Sequence, residues 1–349
     1  MNRKSMTMLG LAITSTFTLL GCNGQFPLGL IGGSAANRDV LPDAITLDIS
    51  ELGDEDTNAA KMKDETAARC TGDPAIDRTL RAGVVVTHAF HRLADRALAL
   101  GARIRNDIDD PTQTQVEGTF PVLGGTTAYK ADFAAFDIDG DGTADGSGMA
   151  NVEPVAIRIW TDSGAGYQPF MCALVTTRPT TSNLGAGEFF TMPSAAIPDA
   201  PADFFVHVVY DRTDPAHKWN EAFTTGHMRP NVSTSTAHHR VDVRTNANDQ
   251  VERTIRSTST FSEHPLGFAD YSFAAHFKRG GTAVLLSGLS TGGTTQVNFS
   301  NVCVDISSCT IDAGGTACSD FDTQDMSFID AAAASQLMFP ADFPSTPTF

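Results

Sequence analysis

The sequence predicts a mainly β protein with one long α-helix (α+β), an antiparallel meander sheet, barrel-like or sandwich, packed by the helix at about 73–101. Three observations predict it. From about residue 114 onward apolar residues recur at every second position, as in half-buried strands. Before that point a single stretch repeats with the helical period. Clusters of Gly, Pro, Asn and Asp then punctuate the alternating runs at short intervals.

The helix is marked at both ends. Asp73-Pro74 supplies an N-cap followed by Pro at the first helical position, and Gly101 is the expected stop. At ~100° per residue Ala82, Val86, Phe90, Leu93, Ala97, Leu100 and Ile104 share one face. Arg78, Arg81, Arg92, Arg96 and Arg103 gather on the other. Strand patterns follow at Ala131–Phe136, Val155–Trp160, Tyr167–Thr177, Phe204–Tyr210, His238–Arg244, Val251–Arg256 and Tyr271–Phe277. Gly280-Gly281 leads into Val284–Leu286, and Thr294–Asp305 is the last expected strand. Turns are expected at Thr161–Gly166 and Asn246–Asp249. One polar face per strand and short connections indicate antiparallel pairing.

The first 22 residues read as an export signal. Arg3 and Lys4 precede an apolar stretch, Met8–Leu20, of thirteen residues. A bilayer span needs ~20, so this stretch is too short for a membrane helix. A positive start, a short apolar core and a small residue at the cut point form a secretory signal. The cut site, Leu19-Leu20-Gly21-Cys22, resembles the lipobox of bacterial lipoproteins. That resemblance implies cleavage before Cys22, diacylglycerol and acyl lipid on its sulfur and amine, and a membrane partner reached through the lipid. Asn23 is not the Asp linked to inner-membrane retention in some lipoproteins, so the resemblance points to the outer membrane of the cell envelope. The expected organisation is a signal peptide (1–21), a lipidated tether (22–44), a helical N-terminal segment (45–110), an antiparallel β domain (111–326) and a C-terminal tail (327–349).

Composition narrows the function. Hydrophobic residues make up 41% of the chain and charged ones 19%, enough apolar material for a sizeable core. Removing residues 1–21 takes away two cations and no anions, so the net charge of −17 becomes −19. Nucleic acid and anionic lipid headgroups would both be repelled, which leaves the acyl anchor to hold the domain at a membrane. With Cys22 lipidated, Cys70, Cys172, Cys303, Cys309 and Cys318 remain as disulfide candidates. Two bridges and one leftover thiol are expected: a local bridge within the 303–318 trio, Cys70 with Cys172, and an odd thiol near the trio.

The sharpest local feature is Asp137-Ile-Asp139-Gly-Asp141-Gly142-Thr143-Ala-Asp145. Acidic residues at positions 1, 3, 5 and 9 with Gly at 6 are what an oxygen-cage Ca²⁺ loop requires. The nine residues resemble the DxDxDG loops of EF-hand-like, dockerin and integrin-type repeat proteins. The resemblance implies Ca²⁺ bound by Asp137, Asp139, Asp141, the Thr143 carbonyl and Asp145. Gly148 stands where the EF-hand has its bidentate Glu.

Other patterns carry less. Gly288-Leu-Ser290-Thr-Gly292 matches the G-x-S-x-G nucleophile elbow, but no helix pattern follows and no His lies beyond His276, so a glycine-rich hairpin turn is expected. His88 and His91 are i,i+3 but lack the Glu of a zinc helix, and His238 and His239 are adjacent on a strand. His207 and His276 fall inside strand patterns, where a hydrogen-bonded or solvated ring is expected. With no catalytic residues assigned, the expected function is a non-enzymatic binding or scaffolding lipoprotein stabilised by Ca²⁺. The alternatives are a periplasmic carrier of an apolar ligand, with Phe204, Phe205, Phe273 and Phe277 lining a half-barrel, and a secreted hydrolase using paired carboxylates.

Overall fold

A computed structural model describes residues 71–80, 100–101, 103–104, 107, 113–122, 125–149, 152–162, 164–180, 185–192, 205–213, 220–225, 236–245, 251–260, 268–278, 281–293, 297–321, 326–329, 340 and 343–347. The signal peptide, Cys22, the tether and Cys70 lie outside the described residues.

Among the described residues thirteen strands form one antiparallel meander in which each strand pairs with its neighbours in sequence. They are β1 (Gln115–Val122), β2 (Gly125–Asp132), β3 (Val155–Asp162), β4 (Tyr167–Thr177), β5 (Gly185–Thr191), β6 (Val206–Arg212) and β7 (Asn220–Thr225). Then come β8 (Thr236–Thr245), β9 (Val251–Thr260), β10 (Phe268–Lys278), β11 (Ala283–Gly293), β12 (Asn298–Asp305) and β13 (Thr310–Ile311). No pairing among the described residues joins β12 or β13 back to β1, so the sheet is not closed into a barrel. Strands β1, β5, β7 and β13 have no strand assigned to them by the sequence pattern, and the strand expected at Ala131–Phe136 meets β2 only at Ala131 and Asp132, where β2 ends.

Register sorts the side chains into two faces, because strand residues alternate sides. One row runs Ile157–Ala173–Phe189–Val208 on β3 to β6. It crosses β7 at Phe223 and continues through Val241, Ile255, Ala275 and Leu286. Those on β3–β6 and β8–β11 belong to one buried cluster, which also takes in Ile76, Leu100 and Ile104 of the helical residues. This is the helix-side face.

The helical residues are 74–80, 100, 101, 103, 104 and 107. Asp73 caps the start as expected: its Oδ1 accepts the N–H groups of Ala75 at 2.8 Å and Ile76 at 3.3 Å. The single long helix over 73–101 is not supported, since residues 81–99 lie outside the described residues. Gly101 is not the stop, because it is itself helical and helical residues follow it. Leu100 and Ile104 are buried and Arg103 exposed, in keeping with the expected faces. The hydroxyls of Thr79 and Tyr271 share a hydrogen bond of 2.5 Å, and Tyr129 Oη donates to Asp107. Burial pushes the Tyr271 phenol up to about 12, so it stays neutral in that contact.

The opposite face is uneven. At the β3–β5 end Phe136, Ile138, Ala156, Trp160, Cys172, Phe190, Phe205 and Phe343 form one apolar cluster. At the β10–β12 end Ala274, Ala283, Leu285, Cys303, Cys318, Phe321 and Met326 form another. Between them the strands carry charge.

Candidate functional site

The acidic loop connects β2 to β3 and is pinned at its neck. Phe136 and Asp145 exchange both backbone hydrogen bonds, at 3.1 and 2.8 Å, closing the loop as an isolated antiparallel bridge. Phe136 and Ile138 are buried in the β3–β5 cluster, so two side chains of alternate residues anchor the loop while Asp137 and Asp139 are left outside it. Asp132 and Arg158 tie the strands beneath: Arg158 Nε donates to Oδ1 at 2.9 Å and Nη2 to Oδ2 at 2.8 Å. The same guanidinium lies 5.7 Å from the ring centres of Phe136 and Trp160.

Within the loop Asp137 acts as the hub. Its Oδ1 accepts the N–H groups of Gly140 at 2.7 Å and Asp141 at 3.1 Å, and its Oδ2 accepts that of Gly142 at 2.8 Å. Gly140 and Gly142 have φ of 80° and 86°, the left-handed conformation that allows this fold-back without a Cβ penalty. Asp139 Oδ1 accepts the Asp141 N–H at 3.0 Å, and Asp145 Oδ2 accepts the Ile138 N–H at 3.1 Å. Carboxylate oxygens of Asp137, Asp139 and Asp145 all lie within 4.8 Å of one another. Asp141 is not in this trio; its Oδ1 accepts the Thr143 N–H at 2.6 Å.

Electrostatics favour a cation there. The Asp145 carboxyl is raised above its ordinary value, chiefly by burial. The Ile138 N–H opposes the shift, and the charges of Asp139, Asp141 and Asp137 add to it. Three convergent oxygens of hard carboxylates suit Ca²⁺, and backbone N–H bonds hold all three carboxylates in place before any ion arrives. The donor set fits the ion.

The remaining expected sites separate. Cys303 and Cys318 form a disulfide, the local bridge expected within the trio. Cys309 is also disulfide-bonded, and Cys172 is a buried thiol. The Cys70–Cys172 bridge is therefore corrected, and so is the odd thiol near the trio: the described thiol sits under Trp160 and Phe190 instead, in the β3–β5 cluster. Ser290 lies inside β11, its Oγ accepting the Val297 N–H at 2.7 Å. The expected turn at 288–292 is thus strand, and a strand interior offers no nucleophile elbow.

His207 Nε2 is 2.7 Å from Glu188 Oε2, and its ring stacks on Phe190 at 4.1 Å. His239 Nδ1 bonds Ser257 Oγ at 2.7 Å, and His276 Nδ1 approaches Thr254 Oγ1 at 3.3 Å. His238 is buried, while His88 and His91 lie outside the described residues. Phe273 and Phe277 belong to the helix-side cluster and Phe205 to the opposite one, so these do not line one surface; Phe204 lies outside the described residues.

Charged groups on the middle of the opposite face were missed. Arg240 and Arg256 are direct cross-strand partners, and Asp242 accepts hydrogen bonds from both. Like charges opposite one another repel, so the shared carboxylate is what makes the pairing tolerable. Glu252, almost fully buried, lies 3.4 Å from Arg244 Nη2, 3.6 Å from His276 Nε2 and 3.7 Å from Lys278 Nζ. The signal was present as charges alternating along β8 and β9, but only the register reveals which ones meet.

No family model, curated protein or solved structure matches the chain. No helix among the described residues is long and apolar enough to cross a membrane.

Proposed function

We propose that the chain is a cell-envelope lipoprotein with a non-enzymatic binding or scaffolding role, held at the outer membrane by acyl lipid on Cys22 and stiffened by Ca²⁺ in the 137–145 loop. The observation that carries the reading is the division of labour between the two sheet faces. The helix-side face is taken up by the chain's own apolar side chains from β1 to β12 and by its helical residues. The opposite face offers charge in its middle and capped apolar ends. Arg240, Arg244, Asp242 and Arg256 keep part of their surface exposed there, beside the buried Glu252, His276 and Lys278.

Asp137, Asp139 and Asp145 would hold the ion, with the Thr143 carbonyl and Asp141 completing the cage the sequence pattern implies. Bound there, Ca²⁺ supplies charge neutralisation and rigidity, not a reaction step. The protein's own part is to keep Asp137 oriented through three N–H donors and to anchor the loop by Phe136 and Ile138.

Two measurements test the reading. A Cys22→Ser variant should move from the membrane to the soluble fraction, and persistence on membranes would overturn the anchor. Thermal unfolding with Ca²⁺ and with chelator should differ by several degrees. An unmoved Tm would remove Ca²⁺ from the reading.

A further inference from the structure

The middle of the opposite face departs from a rule of sheet construction. Arg240 on β8 and Arg256 on β9 are direct cross-strand partners, a position where like charges repel. Their side chains are 41% and 20% exposed, so an uncharged polar pair would pack there as well. Asp242 braces both. Its Oδ1 accepts Arg240 Nε at 2.9 Å and Nη2 at 2.7 Å, and its Oδ2 accepts Arg240 Nε at 2.9 Å and Arg256 Nη2. Nη1 of each guanidinium is left without an acceptor among the described residues, and Arg256 Nε is buried without one. Two arginines and one carboxylate leave a local positive charge in a chain whose net charge is −17. The other acid of these two strands does not cancel it, since Glu252 is taken up by Arg244, His276 and Lys278.

Departures from local rules of this kind concentrate where a protein binds or reacts. A guanidinium presents its N–H groups as a planar fork that matches a carboxylate, and Asp242 already demonstrates the fit with the chain's own group. We propose that Arg240 and Arg256, braced by Asp242, bind the carboxylate of a small organic acid. This rests on the reading of the opposite face as the binding face and names its ligand class. A single negative charge brings the three side chains and the ligand to neutrality, whereas a dianionic phosphate overshoots. The size follows from the overall charge. An acidic macromolecule meets the summed repulsion of the whole chain. A small acid meets only the local field, because exposed charges beyond ~8–10 Å are largely screened at physiological salt.

The test is an NMR titration of the full-length chain, labelled with ¹⁵N-arginine, in which sodium acetate replaces sodium chloride at constant ionic strength. The Nε–Hε signals of Arg240 and Arg256 should shift together and saturate. Arg256→Gln should weaken acetate at least tenfold at the Arg240 signal. Arg256→Lys keeps the charge beside Asp242 but loses the fork, so it should weaken acetate nearly as much, and it serves if the first variant does not fold. Asp242→Asn removes a competing carboxylate and should tighten acetate at least threefold. Shifts that never saturate, or that saturate equally in the native and Arg256→Lys chains, would overturn the site. Phosphate binding more tightly than acetate near neutral pH would overturn the choice of a single charge. Polyglutamate binding more tightly per carboxylate would replace the small acid with an acidic protein. Membrane fractionation of Cys22→Ser and the Ca²⁺ dependence of Tm do not pass through these arginines, so the two readings fail separately.

Discussion

The two ends of the opposite face solve the same problem by different means. Each end exposes apolar residues that another part of the chain must cover. At the β10–β12 end the cover is Phe321, Met326 and the 3-10 turn Thr316–Cys318, clasped to β12 by Cys303–Cys318 across fifteen residues. Lys278 reinforces it, its Nζ donating to Asp320 Oδ2 at 2.6 Å and lying 5.0 Å from the Phe321 ring centre. At the β3–β5 end the described cover is held by packing and hydrogen bonds: the acidic loop supplies Phe136 and Ile138, and the distant segment supplies Phe343. One cover is fixed once by oxidation. The other responds to whatever acts on the loop or the segment.

The largest expected effect is at the second end. Trp160 is fully buried between the acidic loop, Phe343 and Arg158, and its N–H has a fixed partner. Trp160→Ala removes both the volume and the donor, and large-to-small changes of this kind cost about 3–5 kcal/mol. Denaturant unfolding should show that loss with an unchanged slope. A loss below 1 kcal/mol would mean that this end contributes little to the fold.

The clasped end comes next. Replacing Cys303 and Cys318 together by Ser frees a loop of fifteen residues, a constraint worth about 3 kcal/mol in the chain-entropy account. Denaturant unfolding should show that loss, and reductant, which also opens the Cys309 bridge, should cost the native chain at least as much. The two ends are further distinguished by ions, since the clasp should be insensitive to Ca²⁺. At a free Ca²⁺ concentration a hundred times Kd the loop should gain about 2.7 kcal/mol. An Asp137→Asn chain, which keeps the size of the side chain but removes its charge and one of its two acceptor oxygens, should lose most of that gain. Equal Ca²⁺ response in the two chains would place the ion elsewhere.

Much of this contrast was readable before the fold. The spacing of Asp137, Asp139 and Asp145 is local, and a nine-residue loop positions its own ligands with its own glycines. The alternation in β3, β4, β8, β9 and β10 is local too, and so is the Asp73 cap. What escaped reading depends on register and on distance. Asp132 and Arg158 meet only because β2 and β3 pair in one register of several, and a one-residue slip would send them to different partners. Cys172 has no sequence mark that separates a buried thiol from half of a bridge. Phe343 looks like part of a proline-broken tail, because prolines deny a strand its ladder and say nothing about Trp160, whose indole N–H bonds the Pro344 carbonyl across 184 residues. The strands β5 and β7 carry Gly, Glu and Asn where a clean alternation would need apolar residues.

The smallest expected effect is also the most specific to the ion. Asp145 has its carboxyl raised in the fold, by burial first and by the three neighbouring carboxylates after the opposing Ile138 N–H. A raised value means that the metal-free fold binds this proton more tightly than the unfolded chain does. Its contribution is then fully present below the unfolded value and is lost as pH rises through the folded one. In chelator, the difference in Tm between the native chain and Asp145→Asn should therefore shift in favour of the native chain as pH falls from neutral into the carboxylate range. Ca²⁺ reverses the sign, because a cation favours the ionised form and acid expels it. With excess Ca²⁺ the same difference should shrink as pH falls. Parallel curves with and without Ca²⁺ would show that the three carboxylates converge without sharing an ion. The loop would then be a turn that bears its own repulsion, and the β3–β5 end would be held by its apolar cluster without an ion.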